Sequence, residues 1–110
     1  MKINVLFWEH FRTPMLAGIK VMTCRTRRMG DPGDTFAAFG CEFVLTHVMR
    51  MPFGYVLADC FEQEGCQSVQ ELTDIWKAIH SLKKVDPGQI VWAHCFRLII
   101  LPSRAGADHE

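Results

Sequence analysis

Two short stretches of this chain carry most of the polar side chains that could line a cleft. The first, LAGIKVMTCRTRR, brings Lys20, Thr23 and Arg25 together just after Gly18, a residue suited to ending a helix. The second, CFEQEGCQS, places Glu62 and Glu64 between an apolar segment and the start of a helix. A hydroxyl such as that of Thr23 is inert at neutral pH until a neighbouring base takes its proton, so an amine and a carboxylate close by would decide whether it reacts. Better-known signatures are missing: there is no GxSxG elbow, P-loop, GxGxxG or HExxH. Metal ligation has little support. The five cysteines, Cys24, Cys41, Cys60, Cys66 and Cys95, form no CxxC pair and read as free thiols of a reducing cytosol. His94 and Cys95 are adjacent on a strand and point to opposite faces, which makes His94 a core histidine rather than a ligand. His10, His47, His80 and His109 show no ligand spacing, and no metal or other cofactor is expected.

The elements that must hold these residues can be sketched from periodicity. Residues 3–8 alternate loosely and are rich in β-formers, predicting a first strand. Residues 9–17 predict a short helix closed by Gly18, with Pro14 confined to its beginning. Residues 19–25 read as extended, and RRMGDPGD after them as a loop. Three further strands are predicted over 36–39, 42–48 and 55–61, separated by Gly40 and by the MPFG turn. Ser68 and Glu71 form a capping box, SVQE, ahead of Val69, Leu72, Ile75, Trp76, Ile79 and Leu82, which recur at helical spacing and define one buried face. After a turn at Asp86, Pro87 and Gly88, residues 90–101 form a long apolar strand deep in the sheet. One geometric condition follows. Residues three apart on a regular strand face opposite ways, so Lys20 and Thr23 can share a pocket only if a turn, a bulge or a late strand start lies between them.

Composition sets the outer limits. With 110 residues and 49% apolar content, the chain supports one hydrophobic core and not two. Twelve basic residues balance twelve acidic ones, so no global positive field holds a long polyanion, and a small ligand or a local basic patch is favoured. The N-terminus has no signal-peptide core, and no run of about 18 apolar residues occurs, so a cytoplasmic protein with no membrane partner is expected.

The order LAGIKVMTCR, then PGD opening a strand, then EQEG before an amphipathic helix, then WAHCFRLI in a final strand, resembles the ASCH domain of the PUA-like superfamily over roughly residues 7–99. The similarity is closest to small bacterial amidohydrolases acting on N(4)-acetylcytidine, whose FxxxF, LAGxKxxTxR and EQE segments stand here as FWEHF, LAGIKVMTCR and EQE. The resemblance implies an α+β fold, a PUA-like small β-barrel with flanking helices. It implies a single domain over residues 1–102, and we expect a disordered tail over 103–110. It also implies removal of the acyl group from N(4)-acylated cytidine, with Lys20, Thr23 and Glu64 as the catalytic set.

On that reading Thr23 attacks the acyl carbonyl, Lys20 is its base, and Glu64 relays protons to the leaving nitrogen or places a water; alternatively Glu64 activates water and Thr23 only binds substrate. Lysine acts as a base only after giving up a proton, which burial or a nearby cation such as Arg25 favours and Glu64 opposes. Arg25 and Phe7 are the substrate-binding candidates, Phe7 as a surface on which a pyrimidine stacks. Val21, Met22 and Cys24 depart from common family choices and bear on acyl preference rather than on reaction class.

Plainer readings exist for each residue. Lys20 and Arg25 could be surface cations, Glu64 a solvated loop charge near a helix N-terminus, and Phe7, Trp8, Phe11 and Trp76 core. The RTRR run at 25–28, with Arg50, reads as a solvated loop, but is also what an RNA-binding module would use. RNA is therefore a second partner class beside the small N(4)-acylcytidine substrate, with a non-catalytic RNA-binding module or a ribonuclease as the alternative function. A monomer or weak homo-oligomer is expected.

Overall fold

The computed structural model describes residues 1–100. Four antiparallel strands, β1 (Met22–Arg25), β2 (Thr35–Ala38), β3 (Cys41–Pro52) and β4 (Ile90–Ile100), form one sheet in the order β1-β4-β3-β2. With α1 (Arg12–Leu16), α2 (Phe53–Asp59) and α3 (Val69–His80), the curled sheet makes a half-barrel that matches the expected α+β small barrel with flanking helices. Register shifts between Glu42 and Phe43 and between Leu45 and His47 break the β3–β4 ladder, and such irregularities bend and twist a strand pair.

β4 lies inside the sheet, as its continuous apolar run predicts. Val91 and Ala93 join a core beneath α2 and α3 that contains Phe53, Val56, Leu72 and Trp76. Phe96, of opposite parity, joins a second core with Val5, Phe11, Met15, Phe36 and Phe43. Rings interlock there: Phe36 stacks on Phe43 at 5.2 Å, and Phe96 meets both edge-on. Burying both faces is what stabilises a strand without polar alternation.

Several expected elements differ. Residues 3–8 form no strand; only a bridge from Lys2 to Thr35 joins the N-terminus to β2, and a 3-10 turn at Glu9–Phe11 leads into α1. The segment 55–61 is not a strand either. Phe53, Val56 and Leu57 are the buried residues of α2, a spacing of three and four that belongs to a helix, and Pro52 sits at its N-cap where a missing N–H costs nothing. The expected strand over 19–25 starts only at Met22. α3 begins where the capping box predicts, with the Ser68 hydroxyl accepting from the Glu71 amide at 3.0 Å. Its face is narrower than expected: Leu72 and Trp76 are buried, whereas Val69, Ile79 and Leu82 are exposed. The end of the last predicted strand at Leu101, the domain limit at 102 and the tail lie outside the described residues. Among the described residues no helix is long and apolar enough to cross a membrane.

Candidate active site

β1 is a sheet edge, and the residues before it are held between β4, whose Phe96 amide donates to the Val21 carbonyl at 2.9 Å, and the loop ahead of α3. The amides of Val21 and Met22 both donate to the Gln63 carbonyl, while those of Ile19 and Lys20 donate to Pro14 at the end of the α1 turn. Gly18, at φ +75°, makes the sharp exit from that helix which a side chain would strain. Lys20 therefore precedes β1, and the late strand start removes the alternation that would separate it from Thr23.

Lys20 is 2% exposed. Its ammonium donates to the Met22 carbonyl at 2.9 Å, the Glu64 carbonyl at 2.7 Å and Glu64 Oε1 at 3.1 Å. The rings of Phe11 and Phe7 lie 4.3 and 6.0 Å from Nζ. A lysine ammonium has three N–H donors, and all three have acceptors here. Gly65 permits this approach: at φ +87°, a Cβ on it would sit 2.8 Å from Lys20 Cβ. Glu64 is 5% exposed, and among the described residues its Oε2 has no N–H or O–H partner.

Thr23 is also buried, and its hydroxyl accepts from Arg25 Nε at 3.1 Å. Arg25 lies on the same side of β1, donates to the Leu6 carbonyl at 2.7 Å and places its guanidinium 5.1 Å from the Phe7 ring. Burial pulls the Arg25 pKa below its ordinary value, against the opposing charge of Glu64. Cys24, on the other side of β1, packs into the core under the helices. Burial, then the Glu64 charge, pushes its thiol pKa far upward, so it stays protonated and is a poor nucleophile.

Lys20, Thr23, Arg25, Glu64 and Phe7 all line one cavity of about 470 Å³. Its far wall is the apolar side of α3, Leu72, Ile75, Trp76 and Ile79, and its rim includes Leu6, Trp8, Arg27 and Met29. The structure thus brings all five candidate residues to one space. Phe7 belongs to both readings, since it lines the cavity and also stacks on core Phe36 at 5.6 Å. Trp76 does as well: expected as core alone, it packs against Phe53 and forms part of the wall. Phe11, expected as core, supplies the ring nearest Lys20, and no sequence signal distinguished it from Phe7.

The RTRR run does not make a single patch. Arg25 turns inward, Arg28 pairs with Asp31 and lies over Trp92 beside Arg50, and Arg27 stands at the cavity rim. Glu62 is exposed and does not line the cavity. Among the described residues no group of three or more metal-ligating side chains occurs, and all five cysteines are unpaired.

No protein-family model matches this sequence, and no curated protein matches it. Solved structures do resemble it. An ASCH domain from Lactobacillus crispatus superposes with a TM-score of 0.67 at 12% identity, over 91% of this chain and 80% of the other. A protein from Enterococcus faecalis gives 0.68 at 17% identity, over 94% and 83%. A protein from Pyrococcus furiosus gives 0.62 at 16% identity, over 90% and 98%. The chain has the fold of the ASCH domain, a small α+β barrel, and at these identities the likeness concerns architecture alone.

Proposed function

We propose that the cavity is the active site of an amidohydrolase that removes the acyl group from N(4)-acylated cytidine. The observation that carries this reading is the buried Lys20–Glu64 ion pair on a cavity wall beside Thr23 and Arg25. Desolvating two charges is costly, and a buried pair is weak as a stabilising device, so its place against open space favours a chemical role.

The hydrogen bonds favour Glu64 over Lys20 as the proton acceptor. An ammonium with three engaged N–H groups has no lone pair to offer, whereas Glu64 Oε2 takes no N–H or O–H donor among the described residues. In the mechanism we favour, Glu64 takes a proton from the attacking oxygen as that oxygen bonds to the acyl carbon. The charges of Lys20 and Arg25 offset the oxyanion. The C–N bond then breaks, and the proton held on Glu64 passes to the exocyclic nitrogen, which leaves as the amino group of cytidine. If water attacks, the carboxylic acid forms directly. If Thr23 attacks, an ester forms first and water clears it.

The test is release of cytidine from N(4)-acetylcytidine, followed by absorbance, with Glu64→Gln and Thr23→Val as controls. Glu64→Gln keeps an acceptor for Lys20 and loses the base, so turnover per folded molecule, with folding checked by circular dichroism, falls by about 100- to 10,000-fold. Thr23→Val separates the two attacks: loss of a nucleophile costs about 10,000-fold or more, whereas loss of a binding hydrogen bond costs about 10-fold. No turnover by the intact protein sinks the reading and moves the function to RNA binding.

A further inference from the structure

His94 has two hydrogen bonds that join parts of the cavity wall. On β4 it sits opposite Thr23 of β1 and Val48 of β3, and it is 1% exposed. Its Nε2 accepts from the Met29 amide at 2.9 Å, so that nitrogen carries no proton. Nδ1 must then hold the proton, and it faces the Thr23 carbonyl at 3.3 Å. One imidazole thereby ties the backbone of Thr23 to the loop of residues 26–29. That loop brings Thr26, Arg27 and Met29 to the cavity, and the β-ladder does not hold it.

From this geometry we infer that His94 is a positioning residue, a clamp whose neutral imidazole holds the 26–29 lip of the cavity against β1 and whose protonation releases it. Protonated Nε2 would set an N–H against the Met29 N–H, replacing an attraction with a donor-donor contact. The groups around the ring resist that state. Burial is the largest, and Arg25 on β1 and Arg28 in the loop add like charge, while the Thr23 and Trp92 carbonyls oppose them. The clamp is therefore closed at neutral pH and opens below the ordinary histidine range near about pH 6.5.

Two measurements on the intact protein test the clamp without reference to any reaction. The ¹⁵N shifts of His94 should report the Nδ1–H tautomer, and the Met29 amide should exchange about 100-fold more slowly than an open peptide at pH 7. Protection should fall at least about tenfold as His94 protonates. An Nε2–H tautomer, or a Met29 amide exchanging at the open rate, overturns the clamp.

What the clamp serves rests on the amidohydrolase reading and is read separately. If the lip is closed in only about a tenth of molecules, apparent affinity falls about tenfold with the chemical step unaltered. His94→Leu should thus raise KM about tenfold with kcat within a factor of about three. His94→Gln, whose amide can accept from Met29 and donate to Thr23, should restore KM and abolish its rise in acid. Unchanged KM values at pH 7 and pH 5 in both variants overturn the link to binding. If His94→Leu does not fold, the acid rise of KM and its loss in His94→Gln decide the matter. A protein that hydrolyses no N(4)-acylcytidine yet shows the tautomer and the protected amide defeats the enzyme reading and leaves the clamp standing.

Discussion

Replacing Lys20 by methionine should destabilise this protein severely, and the reason lies in the surroundings of Glu64. The lysine stem has an isosteric apolar substitute, so packing against Phe11 and Gly65 survives. What goes is the ammonium, and with it a partner for the Met22 carbonyl, the Glu64 carbonyl and Glu64 Oε1. Among the described residues Glu64 Oε2 already lacks an N–H or O–H donor, so the substitution leaves a buried carboxylate with no charged partner. Removing one member of such a pair costs about 3–5 kcal/mol, against a total of about 5–15 kcal/mol for a small domain. With a urea slope of about 1–1.5 kcal/mol/M, the midpoint falls by roughly 2–5 M. The decisive comparison is Lys20→Met/Glu64→Leu, in which no charge remains. It should unfold at higher urea than Lys20→Met alone, because an apolar pair of similar volume often matches or exceeds a buried ion pair in stability. A single variant costing under about 1 kcal/mol, as an exposed pair would, refutes the reasoning, and so does a double variant no more stable than the single.

Gly65→Ala tests the approach that brings Glu64 to Lys20. The added Cβ meets the Lys20 stem at 2.8 Å in a backbone conformation that alanine disfavours, so we expect a loss of about 1–3 kcal/mol in urea unfolding, with turnover reduced as Lys20 is displaced. Full activity and stability in that variant would show the contact to be slack. Acid should destabilise the fold in the window set by His94 and His80, both lowered chiefly by burial. The unfolded chain takes up these protons first, so stability is complete above about pH 6.5 and declines as pH falls towards the folded values. Melting temperatures from pH 8 to pH 5 should show this decline, and His94→Gln should flatten it; a flat profile in the natural sequence would refute it. Ser68→Ala should cost about 1 kcal/mol of stability through loss of the α3 cap, with the cavity residues untouched.

Sequence reasoning worked where one local signal acted alone. The apolar run of β4 had no other solution than a doubly covered strand, and SVQE fixed the start of α3. It failed where two signals competed. YVLADCF contains strand formers, yet Phe53, Val56 and Leu57 have helical spacing, and Pro52, the last residue of β3, also caps the helix that follows. Residues 3–8 have the composition of a strand, but only Lys2 pairs with β2, and the segment passes on to the cavity rim. Periodicity assigns the α3 stripe to one buried face, but it reports a direction and not what covers it; Ile79 is exposed and lines the cavity. The five candidate residues came from motif resemblance, and spacing alone would have left Lys20 and Glu64 as solvated charges. The two Glu64 acceptors of Lys20, the permissive Gly65 and the two bonds of His94 are long-range facts of the fold, and none has a one-dimensional signature.

An edge strand is an awkward place for a polar site, since it offers unpaired backbone groups to solvent. Here the edge is what makes the site. In the middle of the sheet, Thr23 and Cys24 would serve two separate cores, one above and one below. At β1 both faces meet around the open side, so the hydroxyl of Thr23, the guanidinium of Arg25 and the thiol of Cys24 can border one space. The loop carrying Gln63, Glu64 and Gly65 lies along that side, its Gln63 carbonyl taking the Val21 and Met22 amides in place of a fifth strand. Backbone satisfaction and the placement of Glu64 thus come from three consecutive residues, which seat a buried charge pair beside so short a strand. The same economy implies a weakness: any change that loosens residues 63–65 should disturb β1 and the site together, while the β3–β4 core remains folded.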